Sequence, residues 1–157
     1  MIITRQIGKC GELLVQYRLL RHGIESAPMT TDAGIDLVAY APGSQRAVTI
    51  QVKAAWEPKP AGGRGGQLLD WWIRDNSPAE LVAFVDLKSE SVWLFRHDEV
   101  RSKRLHWGKP LKKHLHFGFY IDPDYKPRSK SYHKREFDDF DMERRVDELF
   151  GCSQISN

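Results

Sequence analysis

The chain has 157 residues, 41% of them apolar, and a formal net charge of +3, which suits one domain spanning 1–157 with a sizeable core and no second module. No apolar run approaches the roughly 20 residues of a membrane span, and MIITRQIGKCGELLVQYRLL lacks an apolar stretch followed by a small-residue cleavage site, so neither insertion nor secretion is expected. Cys10 and Cys152 stand near opposite ends without CxxC or Cys/His spacing, which argues against a disulfide framework or a zinc site and for a reduced, cytoplasmic protein.

A first helix is expected over residues 7–21, where Cys10, Leu13, Leu14, Tyr17 and Leu20 recur at spacings of three and four and Gly23 can end it. Gly8 and Gly11 each lower helix propensity by about 1 kcal/mol relative to Ala, which suits a helix end that approaches another backbone or a phosphate closely. After the variable ESAPMTTDAG come two apolar-rich segments, 35–41 and 47–55, whose separator PGSQR carries the turn residues Pro42 and Gly43. They read as a β-hairpin. EPKPAGGRGGQ, 57–67, is too rich in Pro and Gly for regular structure and reads as a mobile loop carrying Arg64. LVAFVDL (81–87) and SVWLFRH (91–97) read as a second hairpin, followed by a short helix over about 97–106. HFGFYI (116–121) reads as a last strand. FDDFDMERRVDELF (137–150) reads as a C-terminal helix with Phe140, Val146, Leu149 and Phe150 inward and Gly151 at its end.

Charge is unevenly spread along these elements. Residues 1–100 carry net −1, residues 101–135 net +9 and residues 136–157 net −5. The basic block alternates with aromatics (Trp107, Phe117, Phe119, Tyr120, Tyr125, Tyr132), a pattern suited to a phosphate backbone and to unstacked bases. A solvated basic face neutralised by the acidic C-terminal helix is the plainer alternative. Candidate DNA contacts are Arg64, Lys103, Arg104, Lys112 and Lys113.

The stretch GIDLVAYAPGSQRAVTIQVK carries the chemistry. A strand's period of two puts Val48, Ile50 and Val52 on one face and Gln51 with Lys53 on the other. The hairpin turn brings Asp36 back beside that polar pair. A hard cation such as Mg²⁺ takes oxygen ligands, often one or two carboxylates with an amide or main-chain oxygen. Lys53 can then stabilise charge developing on a phosphate or help deprotonate an attacking water. Glu12, on the first helix, offers a second carboxylate. Taken singly, Lys53 and Gln51 could be solvated strand residues, and Glu12 an acid favoured near a helix N-terminus. Asp36 is harder to explain that way, because aspartate opposes β propensity.

These residues resemble, in order, the PD-(D/E)XK nuclease superfamily, the restriction-endonuclease-like group that also holds Holliday-junction resolvases and some homing endonucleases. The matching pieces are the G-x-x-G-E helix start at Gly8–Glu12, the GID aspartate Asp36, the hairpin, and IQVK closing on Lys53. Ile35 stands where the superfamily has proline, and Gln51 where it has a second acid. A Q-x-K version is found in intron-type homing endonucleases and in small uncharacterised bacterial proteins that the chain resembles most. The resemblance implies an α/β (α+β) fold with an αβββαβ core, a mixed central sheet flanked by helices. It implies a divalent-metal-dependent DNA endonuclease using Mg²⁺ or Mn²⁺, with Asp36 and Gln51 binding metal, Glu12 as accessory carboxylate and Lys53 as catalytic lysine. Its substrate would be duplex or branched DNA, and a homodimer is the economical arrangement for cutting both strands. The alternative is a catalytically inactive nuclease-fold module that binds DNA or protein.

Three further features admit plainer explanations. His114 and His116, two apart, could share a face and hold a transition metal, but no third ligand has matching spacing. Trp71 and Trp72 read as one core and one surface residue rather than a base-stacking platform. Cys10 reads as a helix packing residue. No G-x-S-x-G, P-loop or HExxH motif points to another enzyme class.

Overall fold

The first helix, α1 (Thr4–Arg21), starts three residues earlier than its apolar spacing suggests and ends at His22 and Gly23, the latter at φ +72°, as expected of a glycine stop. The computed structural model describes residues 1–31, 33–61, 65–103, 113–127 and 131–151. Eight strands follow α1: β1 (Glu25–Pro28), β2 (Leu37–Tyr40), β3 (Ala47–Ala55), β4 (Lys59–Pro60), β5 (Gln67–Arg74), β6 (Leu81–Asp86), β7 (Ser91–Arg96) and, after α2 (His97–Ser102), β8 (His114–Tyr120). A 3-10 segment (Lys134–Phe140) and α3 (Met142–Phe150) complete the described chain.

The strands form two sheets. The larger is mixed, in the order β1-β2-β3-β6-β7, and the smaller runs β4-β5-β8. The expected hairpins are present as the antiparallel pairs β2–β3 and β6–β7, while β3 and β6 run parallel. This is the expected mixed sheet flanked by helices. Its β3-to-β6 connection passes through β4 and β5, so a second sheet occupies the place where the αβββαβ order has a helix. β1, β4 and β5 are additions to the elements expected from the sequence. β4 and the start of β5 take up part of the loop expected over 57–67. The expected C-terminal helix is broken in two at Asp141, which caps α3 by accepting from the Glu143 N–H at 3.0 Å and forms a bridge to Trp93 on β7.

Two cores sandwich the larger sheet. On one face, Val15 and Leu19 of α1 and Met142, Val146 and Phe150 of α3 meet Ile50, Val52, Ala83 and Leu94. On the other, Val82, Phe84, Trp93 and Phe95 meet Leu69, Trp71, Phe117 and Phe119 of the smaller sheet. Aromatic rings fill the second core, with Phe84 stacked on Phe117 at 4.6 Å and Trp71 at 4.8 Å from Phe84. Each such buried side chain contributes about 1.5–3 kcal/mol by leaving water. Covered on both faces, β6 is buried at all six positions, which explains its unbroken apolar reading.

α1 is turned differently from its apolar spacing. Gly11, Val15 and Leu19 are the buried positions, whereas Leu13, Tyr17 and Leu20 are 54%, 58% and 64% exposed. Gly11 causes the difference, because a Cβ there would lie 2.5 Å from Ala54 Cβ. Its missing side chain lets the helix settle directly on β3. The close approach expected of the two glycines therefore belongs to Gly11, since a Cβ at Gly8 meets nothing within 4 Å.

Candidate active site

The site forms where β2 begins. β2 and β3 pair with Leu37 opposite Ile50, and Asp36 stands just before β2. The Asp36 N–H donates to the Ile50 carbonyl at 2.9 Å. The Asp36 carboxylate accepts from the Val52 N–H at 2.6 Å, standing in for the main-chain carbonyl that an ordinary ladder would offer. Val52 lies between Gln51 and Lys53, so the half-buried carboxylate is tied to the strand segment bearing both.

Gln51 is only 5% exposed. It lies beside Val82 of β6, and Lys53, half-buried, beside Phe84. Among the described residues, Gln51 Oε1 is buried with no hydrogen-bond partner. The turn leading into Asp36 depends on Gly34, which sits at φ +85°. A Cβ there would come within 3.1 Å of Pro78 Cδ and 4.0 Å of Gln51 Nε2. Ser77 Oγ donates to the Gly34 carbonyl at 3.4 Å, which ties this turn to the chain entering β6. Asp36 is thus tied to the stretch of β3 that carries Gln51 and Lys53.

Glu12 follows Gly11, the α1 residue seated on Ala54, and so lies on the helix turn next to the strand position after Lys53. Its carboxylate accepts from Lys9 Nζ at 2.8 Å. Among the described residues, no group of three or more His, Cys, Asp or Glu side chains is placed to hold a metal ion. A cation site here would therefore rest on Asp36 with amide or main-chain oxygens.

Of the expected DNA contacts, Arg64, Arg104 and Lys112 lie outside the described residues. The Lys103 ammonium lies over the Phe137 and Phe140 rings at 6.0 and 5.6 Å. Lys113 is exposed at φ 68°, and its carbonyl accepts from the Asp75 N–H at 2.9 Å.

A second polar constellation lies on the outward face of the smaller sheet. His116 is buried, with Nε2 2.8 Å from Asp70 Oδ2, and its ring stacks on Trp72 at 4.1 Å with an interplanar angle of 1°. Lys59 Nζ sits 2.7 Å from the other Asp70 oxygen. Burial pushes the Asp70 carboxyl upward, but the contacts with His116 and Lys59 outweigh it and hold the group below its ordinary value. Trp71 is core and Trp72 surface, as their sequence reading has it. The alternation of Leu69, Trp71, Ile73 with Asp70, Trp72, Arg74 was the signal available for β5 in the sequence.

No protein-family model matches the chain, and no curated protein matches its sequence. Among solved structures, the fold is similar to that of the bacterial homing endonuclease I-Ssp6803I, at 17% identity over 98% of this chain and 99% of that chain, with a TM-score of 0.61. MepB is a weaker likeness, at 10% identity over 83% of this chain and 87% of that one with a TM-score of 0.32, too low to carry weight. The similarity to I-Ssp6803I extends over nearly the whole chain and establishes a nuclease-like α+β fold.

Proposed function

We propose that the chain is a divalent-metal-dependent DNA endonuclease that hydrolyses phosphodiester bonds. The observation that carries this reading is the Asp36 carboxylate held by the Val52 N–H, next along β3 to Gln51, whose buried Oε1 has no partner among the described residues. An unsatisfied buried acceptor costs about 1–3 kcal/mol, and a cation beside it offsets that cost. The donor set fits a hard ion such as Mg²⁺, with Mn²⁺ as a substitute, because carboxylate and amide oxygens are the ligands such ions take.

Asp36 and Gln51 would hold the ion; Glu12, the expected accessory carboxylate, stands on the Val52 and Ala54 side of β3 and is not brought together with Gln51 and Lys53. When bound, the ion polarises the phosphate and lowers the pKa of a water at the site. The chain's own contribution is positional and electrostatic. The Val52 N–H fixes the Asp36 carboxylate, Gly34 keeps the turn tight against Gln51, and Lys53 brings a cation on the Gln51 side of the strand to stabilise negative charge gathering on the phosphate oxygens. The substrate is duplex or branched DNA. One such site cuts one strand, so a double-strand break calls for two copies, most simply a homodimer.

The neutral Gln51, where the resembling superfamily has an acid, favours one second reading: a nuclease-fold module that binds DNA or protein without cutting. Incubating supercoiled plasmid and branched DNA with the protein in Mg²⁺, Mn²⁺ or EDTA separates the two, with Lys53→Ala as control. The endonuclease nicks in metal and not in EDTA, and the variant does not nick; a binding module shifts the DNA and leaves it intact.

A further inference from the structure

We propose that the outward face of the β5–β8 ribbon is a contact surface for duplex DNA, lying along its major groove. This surface rests on DNA being the partner in the proposed function, and it adds Lys59, Trp72 and Arg74, which lie outside the basic block, to Lys113 within it.

Side chains alternate along both strands. Leu69, Trp71 and Ile73 face the core with Leu115, Phe117 and Phe119. Asp70, Trp72 and Arg74 therefore project outward, opposite Gly118, His116 and His114. Trp72 is 38% exposed, and its stacking on buried His116 holds the indole in one orientation on the surface. A large aromatic kept rigid in solvent is a ready contact for a ligand.

Among the described residues, the exposed formal charges on this face are positive. Lys59 is 65% exposed, and Arg74 and Lys113 are exposed at the end of the ribbon. Asp70, the acid of this face, is recessed at 9% exposure and bonded to both Lys59 and His116. Gly118 makes that recess possible, because a Cβ there would lie 2.8 Å from Asp70 Cβ and 2.5 Å from the Leu69 carbonyl. A cationic surface with its carboxylate already neutralised complements a polyanion.

The shape selects the duplex. β4 pairs only with Gln67 and Leu68 of β5, so among the described residues the face bearing Trp72 and Arg74 is two strands wide. A two-stranded antiparallel ribbon fits the major groove, about 12 Å across. The ribbon is also close enough to serve the same DNA as the candidate site. β3 leads into β4 through exposed Trp56, and the six residues from Lys53 to Lys59 span at most about 20 Å, less than the roughly 34 Å of one duplex turn.

The test is fluorescence anisotropy of a labelled mixed-sequence duplex of about 30 base pairs, in EDTA, over a salt series, with wild type, Trp72→Ala and the double variant Arg74→Ala/Lys113→Ala. The two cations are exposed, so the double variant keeps the fold. The expected result is that it loses about two from the slope of log affinity against log salt, since each phosphate contact contributes about 0.9. Trp72→Ala weakens binding at least fivefold. Wild-type slope and affinity in the double variant, alongside wild-type protein that binds and nicks DNA, would overturn the surface and leave the nuclease standing. Wild-type protein that neither binds nor nicks overturns both. Tighter binding to a 30-nucleotide single strand than to the duplex, lost in Trp72→Ala, replaces the groove contact with a base-stacking platform.

Discussion

The Val52 N–H donates to the Asp36 carboxylate at 2.6 Å, so the residue between Gln51 and Lys53 anchors the acid that precedes β2. One main-chain donor thereby couples the three polar residues: a shift of β3 by one position would move Gln51 and Lys53 to the opposite face and leave Asp36 beside apolar side chains.

Gln51→Glu tests whether Asp36 and residue 51 share a cation. The substitution puts a second carboxylate at a position 5% exposed, next along β3 to the Val52 N–H that holds Asp36, and like charges in a buried site oppose one another. In EDTA the variant should melt below wild type. Millimolar Mg²⁺ should then raise its Tm by more than it raises that of wild type, because ligand bound only to the folded state stabilises it. Equal shifts in the two proteins, measured by differential scanning fluorimetry, would contradict a shared site.

Gly11→Ala and Gly8→Ala should move stability in opposite directions. Both gain helix propensity of about 1 kcal/mol. A Cβ at Gly11 meets Ala54 Cβ at 2.5 Å, whereas at Gly8 it meets nothing within 4 Å. Overpacking of about 1–3 kcal/mol leaves Gly11→Ala net destabilised, and Gly8→Ala gains up to about 1 kcal/mol. Urea denaturation midpoints read the difference directly.

Arg145→Met should cost about 3 kcal/mol. Arg145 is 5% exposed, and its guanidinium lies 2.8 Å from Glu99 on α2 and over the Phe140 ring at 4.9 Å. Its removal leaves Glu99 partly buried without this cation. Chemical denaturation of the variant checks the loss, and Arg144→Met, whose side chain is 64% exposed, should change stability by less than about 0.5 kcal/mol.

The contrast between these two arginines marks the limit of the sequence. Side by side in an acidic helix, both look like solvated charges, and only the arrival of α2 from 46 positions earlier in the chain distinguishes them. The β2–β3 hairpin was legible because its period of two and its PGSQR turn are local, and with it the shared face of Gln51 and Lys53. The extent of α1 was legible from its spacing and from Gly23, but the face it buries was not, because Gly11 acts by lacking a side chain and so adds nothing to an apolar pattern. The second sheet was missed for a different reason. β3 pairs in parallel with β6, a contact closed across the whole intervening segment; the alternation in β5 signals a strand, but nothing local says that it pairs with β8 in a sheet of its own rather than joining the larger one.

Asp70 should make stability sensitive to acid. Its folded carboxyl lies below its ordinary value of 3.8, with burial raising it and His116 and Lys59 outweighing burial. The unfolded chain therefore takes up the proton first as pH falls. The stabilisation is full above the ordinary value and is lost as pH drops through the folded one. The stability difference between wild type and Asp70→Asn, followed by urea melts from about pH 6 to pH 3, should shrink toward the acid end; a constant difference would show that Asp70 is not held in its ionised form.

The central claim is tested most directly by nicking of supercoiled plasmid in millimolar Mg²⁺ by wild type, Asp36→Asn and Lys53→Ala, each checked by circular dichroism for an intact fold. Removing one group that acts on the developing charge commonly lowers rate by about 10²–10³-fold, so nicking by wild type and its loss in both folded variants and in EDTA is the predicted result. Nicking that persists in folded Asp36→Asn and Lys53→Ala at the wild-type rate, or wild-type protein that leaves the plasmid intact in both Mg²⁺ and Mn²⁺, would contradict it.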